Sequence, residues 1–161
     1  MGIISMVILA RYRSFNSTLL LRNLAYEIAL SIREAQVYGI SVRGTGGVFT
    51  HASGIHFTRG TTYTLFTDLN DNNQYDGGTE AVSTYTIGDR KQITALCIDK
   101  VVLGACFTTI DVLFKRPDPD ALFTTDGAMS APNFITVEVG APPDTNRRAV
   151  TIWPTGQISV E

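Results

Sequence analysis

Ser17-Thr18-Leu19-Leu20-Leu21-Arg22-Asn23-Leu24-Ala25-Tyr26-Glu27-Ile28-Ala29-Leu30-Ser31-Ile32-Arg33-Glu34-Ala35-Gln36 is the stretch on which the fold turns. Within it Leu20, Leu21, Leu24, Ala25, Ile28, Ile32 and Ala35 recur at steps of three and four, the spacing of one face of an α-helix. Arg22, Glu27, Arg33, Glu34 and Gln36 fall between them, no Pro or Gly interrupts, and Gly39 offers a stop near residues 40–44. Ahead of the stripe stands the apolar run Ile3-Ile4-Ser5-Met6-Val7-Ile8-Leu9-Ala10, with Arg11, Arg13 and Arg22 before the first acid, Glu27. About eight apolar residues fall short of the roughly 17–25 that span a bilayer. A helix running back to Ile3 would be about 55 Å long at 1.5 Å per residue. That exceeds what a domain of this size covers, so the apolar, amino-terminal end is expected to protrude.

Beyond Gly44 the period changes. Val48 to Phe57, Tyr63 to Thr67, Val82 to Ile87, Ile93 to Ile98, Phe107 to Phe114, Phe134 to Val139, Ala149 to Trp153 and Gln157 to Val160 are short and rich in Thr, Val, Ile and aromatics. Gly, Pro, Asn and Asp separate them, so they read as strands, the last two joined tightly at Pro154-Thr155-Gly156. No second helical pattern appears, which excludes parallel crossover units and leaves an antiparallel sheet. The expectation is an α+β chain in which one long amino-terminal helix (1–44) packs on an antiparallel β-sheet (45–161). Residues 115–133, with three prolines, and 140–148 read as irregular.

The chain has 161 residues, enough for one core. Hydrophobic residues make up 44% and charged ones 17%, below the usual ~25%, so disorder is excluded. A net charge of −2 removes a global electrostatic case for binding nucleic acid or an anionic membrane; any such contact must be local. The charge is uneven, since residues 1–48 hold five Arg and two Glu while all the other acids follow. No secretory leader with its cleavage site is readable, so the amino terminus looks cut.

Cys97 and Cys106 permit one short-loop disulfide, which would imply an oxidising, extracytoplasmic compartment; two buried free thiols are the alternative. They do not make a zinc site with the distant His51 and His56, which fall on opposite faces of one predicted strand. Gly44-Thr45-Gly46-Gly47 does not form a phosphate loop, because a helix precedes it and a strand follows. No nucleophile elbow or carboxylate pair is spaced for catalysis, and an enzyme is not expected. Asp68, Asn70, Asn72 and Asp76 match positions one, three, five and nine of a calcium loop, with Asn73 where glycine is usual and the closing carboxylate displaced to Glu80. Calcium is thus a possible ligand of these five residues, and a turn held by Asn and Asp side chains is the other reading. Arg147 and Arg148 near Trp153, and Lys115 with Arg116 after Phe114, are the basic pairs that could contact DNA or another ligand.

Taken together, these segments resemble the type IV pilin superfamily, in its H-type pseudopilin and minor-pilin group. The apolar Gly2 to Ala10 is similar to the tail of the family's membrane segment, and Ile32-Arg33-Glu34-Ala35-Gln36 to its helix end. Phe66-Thr67-Asp68-Leu69-Asn70-Asp71-Asn72 through Gly78 and Glu80 is like the group's strand and acidic turn. Phe114 to Gly127, then Arg148-Ala149-Val150-Thr151-Ile152 and Gly156-Gln157-Ile158-Ser159-Val160, are like its closing strands. The prepilin peptidase site and the glutamate early in the mature helix are absent, so those roles are not carried over.

The resemblance implies a non-enzymatic subunit of an extracytoplasmic helical filament, a type IV pilus pilin or a type II secretion pseudopilin. Its full-length form would cross the inner membrane once and meet sister subunits and the assembly platform there. Ile4, Val7, Ile8, Phe15, Leu19 and Leu20 are expected to bundle helices in the filament, with Leu24, Ile28, Ile32 and Ala35 packing on the sheet. Two rivals are a tip-located minor pilin that binds DNA or a surface ligand, and a calcium-stabilised secreted domain.

Overall fold

The computed structural model describes residues 2–41, 51–88, 90–99 and 105–161, with side chains of the helix from Ser17 onward. Gly44 to Gly47 and the first residues of the first expected strand lie outside them. Helix α1 runs without a break over Gly2–Ile40, 39 residues, or about 58 Å. Strands follow in the order β1 Ser53–Thr58, β2 Thr62–Thr67, β3 Ala81–Thr86, β4 Gln92–Ile98, β5 Cys106–Phe107 and β6 Thr109–Phe114. Then come β7 Ala121–Thr125, β8 Ala128–Ser130, β9 Ile135–Gly140, β10 Arg147–Ile152 and β11 Ile158–Val160.

The molecule is α+β, with its amino-terminal helix packed on antiparallel sheets; besides the split of the expected strand Phe107 to Phe114 into β5 and β6 of different sheets, it departs from the reading above in two respects. The strands form two sheets instead of one, ordered β3-β2-β1-β6-β7-β8 and β11-β10-β9-β4-β5. Strand spacing along a chain carries no information on which strands share hydrogen bonds, so alternation alone could not separate them. The second departure is β7 and β8, which occupy the supposedly irregular 115–133. Between them Asp126 and Gly127 both have positive φ, 44° and 81°, the backbone of a two-residue hairpin turn. Asp-Gly between β-rich segments was the legible signal, masked by Pro117, Pro119 and Pro132. At the β10–β11 hairpin the expected tight connection is present, with Gly156 at φ 77° and its N–H donating to the Trp153 carbonyl at 2.9 Å.

α1 lies against both sheets, touching β1, β2 and β6 of one and β9, β10 and β11 of the other. Leu21, Leu24, Ile28 and Ile32 meet Ile55, Phe57, Phe114, Val137, Val150 and Ile152 in one continuous core. A smaller cluster of Ala52, Phe66 and Leu113, with Tyr75 and Leu122 against it, sits apart from this core. Sheet and helix come close at Gly39, where a Cβ would stand 2.2 Å from the Phe114 carbonyl oxygen. α1 ends at Ile40, within the expected stop, and the missing side chain of Gly39 lets its last turn press on the end of β6.

Candidate functional site

α1 carries two apolar stripes. The expected one is buried at Leu21, Leu24, Ala25, Ile28, Ile32 and Ala35 and only half-buried at its first member, Leu20. The other is Leu19, Tyr26, Leu30 and Val37, separated by seven, four and seven residues, steps that return to nearly one azimuth at 3.6 residues per turn. These four are 43%, 46%, 62% and 60% exposed, on the side turned away from both sheets. Of the expected helix-packing residues, Leu19 belongs to this free face and Leu20 is half-buried at its border. The side chains of Ile4, Val7, Ile8 and Phe15 lie outside the described residues. Tyr26, Leu30 and Val37 escaped the sequence reading because Asn23 and Arg33 interrupt their line. Arg22 completes the face, its guanidinium 5.7 Å from the Tyr26 ring centroid.

On another side of the helix, Glu34 accepts hydrogen bonds from Tyr38 Oη at 2.7 Å and Tyr85 Oη at 3.1 Å, tying α1 to β3. Tyr85 stacks on Tyr63, centroids 4.9 Å apart. Burial, then the Glu34 hydrogen bond and charge, push the Tyr85 hydroxyl up to about 12. Burial also raises Tyr63, whose hydroxyl lies 3.1 Å from Ser31 Oγ; that bond pulls the other way.

The structure brings all five calcium candidates into one turn and uses their oxygens there. Buried Asp68 accepts the Asn72 and Asn73 backbone N–H groups at 3.1 and 2.8 Å. Buried Glu80 accepts those of Leu69 and Asp76 at 3.2 and 2.9 Å. Asp76 accepts the side-chain amides of Asn70 and Asn72, both at 2.7 Å. Asn70 and Asn72 side-chain oxygens accept further turn N–H groups. Left-handed Asp71 and Asn73, φ 58° and 60°, let the chain double back. Turn chemistry accounts for every one of these contacts, and among the described residues no group of three or more His, Cys, Asp or Glu side chains is arranged to hold a metal ion.

This turn is docked on the β1–β6 face of its sheet. Tyr75 packs on Phe66 and His56, centroids 5.2 and 4.8 Å away, and its N–H donates to Asp111 Oδ2 at 3.2 Å. Asp111 Oδ1 lies 2.6 Å from Nδ1 of His56, its direct cross-strand neighbour. His51 precedes β1 instead of sharing it, and its Nδ1 is 3.7 Å from Asp71 Oδ2. The two histidines thus serve separate carboxylates.

Cys97 and Cys106 form a disulfide across the β4–β5 pair, which decides between the two thiol readings. The basic pairs do not join an aromatic platform. Lys115 Nζ is taken up by Asp71 at 3.0 Å, with Arg116 beside it. Arg147 and Arg148 start β10, whereas Trp153 lies beyond its other end, beside Phe134 at 6.5 Å. Trp153 and Phe134 line a groove of about 320 Å³ with Thr136, Glu138, Ala149 and Thr151; its lining residues hold no cation.

No protein-family profile, no curated protein and no solved structure matches the chain. Among the described residues no helix is long and apolar enough to cross a membrane.

Proposed function

We propose that the chain is a structural subunit of an extracytoplasmic helical filament of the type IV pilin kind, in a pilus or a type II secretion apparatus. The observation that carries this reading is the free apolar line Leu19, Tyr26, Leu30 and Val37, opposite the buried stripe of a helix that extends 19 residues ahead of Leu21, the first buried position among the described side chains. A lone surface helix gains nothing from a second apolar stripe, since each exposed side chain costs about 1.5–3 kcal/mol relative to burial. Packed against copies of the same helix, both stripes are covered. Copies joined head to tail by one rotation and translation do not close on themselves, and so form a fibre. The Cys97–Cys106 disulfide supports a compartment outside the cytoplasm.

The test is assembly in a host that carries a pilin-processing peptidase and assembly machinery, with the chain expressed behind a prepilin leader and membrane segment. Filaments visible by electron microscopy and labelled by an antibody to the β domain are the expected result. Leu30→Glu with Val37→Glu, both on exposed positions, should leave the melting temperature within a few degrees and abolish incorporation. Folded wild-type protein that never enters a fibre, or a double variant that enters as readily as wild type, sinks the proposal.

A further inference from the structure

Antiparallel strand ends sort the charged residues into two poles. Thr18 and Leu21 of α1 share a small cavity with Asn146, Arg147 and Arg148, and Arg22 and Tyr26 share another with Arg148, Val160 and Glu161. The start of β10 and the end of β11 therefore surround the helix where it leaves the domain. Cross-strand register extends this pole: Arg147 is opposite Gly140, and Gly140 is opposite Gln92, which Arg90 and Lys91 precede. Arg59 follows Thr58, the partner of Thr109 at the same end of the other sheet. The opposite pole is fixed by Gly39 against Phe114 and by Gln36 Nε2 donating to the Pro119 and Gly156 carbonyls. It carries Asp68, Asp71, Asp76, Glu80, Asp118 and Asp120, on loops that leave β2, enter β3 and join β6 to β7.

We infer that the pole formed by Arg22, Arg59, Arg90, Arg147 and Arg148 docks on anionic phospholipid headgroups, holding the β domain upright on the membrane. Arg22, Arg59, Arg90, Arg147 and Arg148 make no ion pair among the described residues. Arg147 donates only to the backbone carbonyls of Asp144 and Asn146, and Arg148 to that of Arg147. Their charges are left for a partner. Asp126, Asp144 and Glu161 share the pole, and Asp89 precedes Arg90 in the sequence; together these acids remain fewer than the cations. Position selects the partner: Thr18 stands five residues, roughly 8 Å at 1.5 Å per residue, beyond Arg13, with the apolar run Ile3 to Ala10 just upstream. A bilayer entered by that run would place its phosphates within about one screening length of Arg147 and Arg148. Nucleic acid fits less well, because the cations circle a helix exit and Trp153 lies at the other pole.

The inference rests on the filament reading only for the direction in which the helix enters the bilayer. It is tested on the full chain by co-sedimentation with vesicles of phosphatidylglycerol and phosphatidylcholine, and with vesicles of phosphatidylcholine alone. Stronger binding to the anionic vesicles, lost in high salt, is expected. Arg22→Glu, Arg147→Glu and Arg148→Glu together should weaken it on the order of 100-fold, from about fivefold per cation near the surface. Lys115→Glu with Arg116→Glu, at the acidic pole, should change it less than twofold, and circular dichroism should show all variants folded. Equal binding to both vesicle types, an unaffected triple variant, displacement by inorganic phosphate beyond the effect of chloride at equal ionic strength, or binding to duplex DNA without binding to vesicles would each overturn it. Filaments that assemble from a chain indifferent to vesicle charge sink this inference alone; anionic binding without assembly sinks the filament reading alone.

Discussion

Carboxylates are the residues whose roles the sequence left most open. Asp68, Glu80 and Asp111 are buried, and each is repaid by backbone N–H groups or by a histidine. Burial of a carboxylate is tolerable only with such partners, and turn N–H groups supply them without a metal. Glu34 illustrates the same rule at the helix, and its contact with Tyr85 makes a pH-dependent prediction. Tyrosine in an unfolded chain titrates near 10, whereas in the folded protein burial and then Glu34 push Tyr85 up to about 12. The folded state holds the proton more tightly, so this contribution is fully present below pH ~10 and is lost as pH rises from about 10 through 12. Denaturant midpoints followed against pH should fall within that window. Tyr85→Phe should show a shallower fall; an unchanged slope would remove Tyr85 as its source.

At the scale of elements, the helix was legible and its second face was not. Buried apolar residues at three and four steps announced α1 at once, while Tyr26, Leu30 and Val37 looked like ordinary scatter until the sheets showed which side they left uncovered. Strands were readable wherever β-branched runs were bounded by turn residues, as at β2 and β9, and were lost where prolines crowded the flanks of β7 and β8. Packing of α1 on β6 depends on one absent side chain. Gly39→Ala places a methyl 2.2 Å from the Phe114 carbonyl, and the intrinsic helix preference of alanine, about 1 kcal/mol, is outweighed by an overpacking cost of about 1–3 kcal/mol. Equilibrium urea unfolding should show the variant destabilised; a stabilised Gly39→Ala would mean that the helix end can slide away from β6.

For the whole molecule, α1 is the common wall of two sheets that share few direct contacts. Ile32 is fully buried in the core that reaches both, so shortening it should loosen both together. Ile32→Ala is expected to cost about 2–5 kcal/mol. Far-ultraviolet dichroism and the fluorescence of Trp153, the single tryptophan, should shift to the same new midpoint. Two separated transitions would show that the sheets are independent cooperative units.

By itself the sequence determined the helix, most of the strands, their antiparallel sense and the cysteine pair able to bond, because local periodicity, turn chemistry and residue type carry those properties. Tertiary structure alone decided the division into two sheets, the exposure of Leu30 and Val37, the docking of residues 68–80 beside Asp111, and the gathering of Arg22, Arg59 and Arg147 at one pole. Each of these depends on which distant segments become neighbours, and that is settled by how the apolar faces of α1 and the strands are jointly buried.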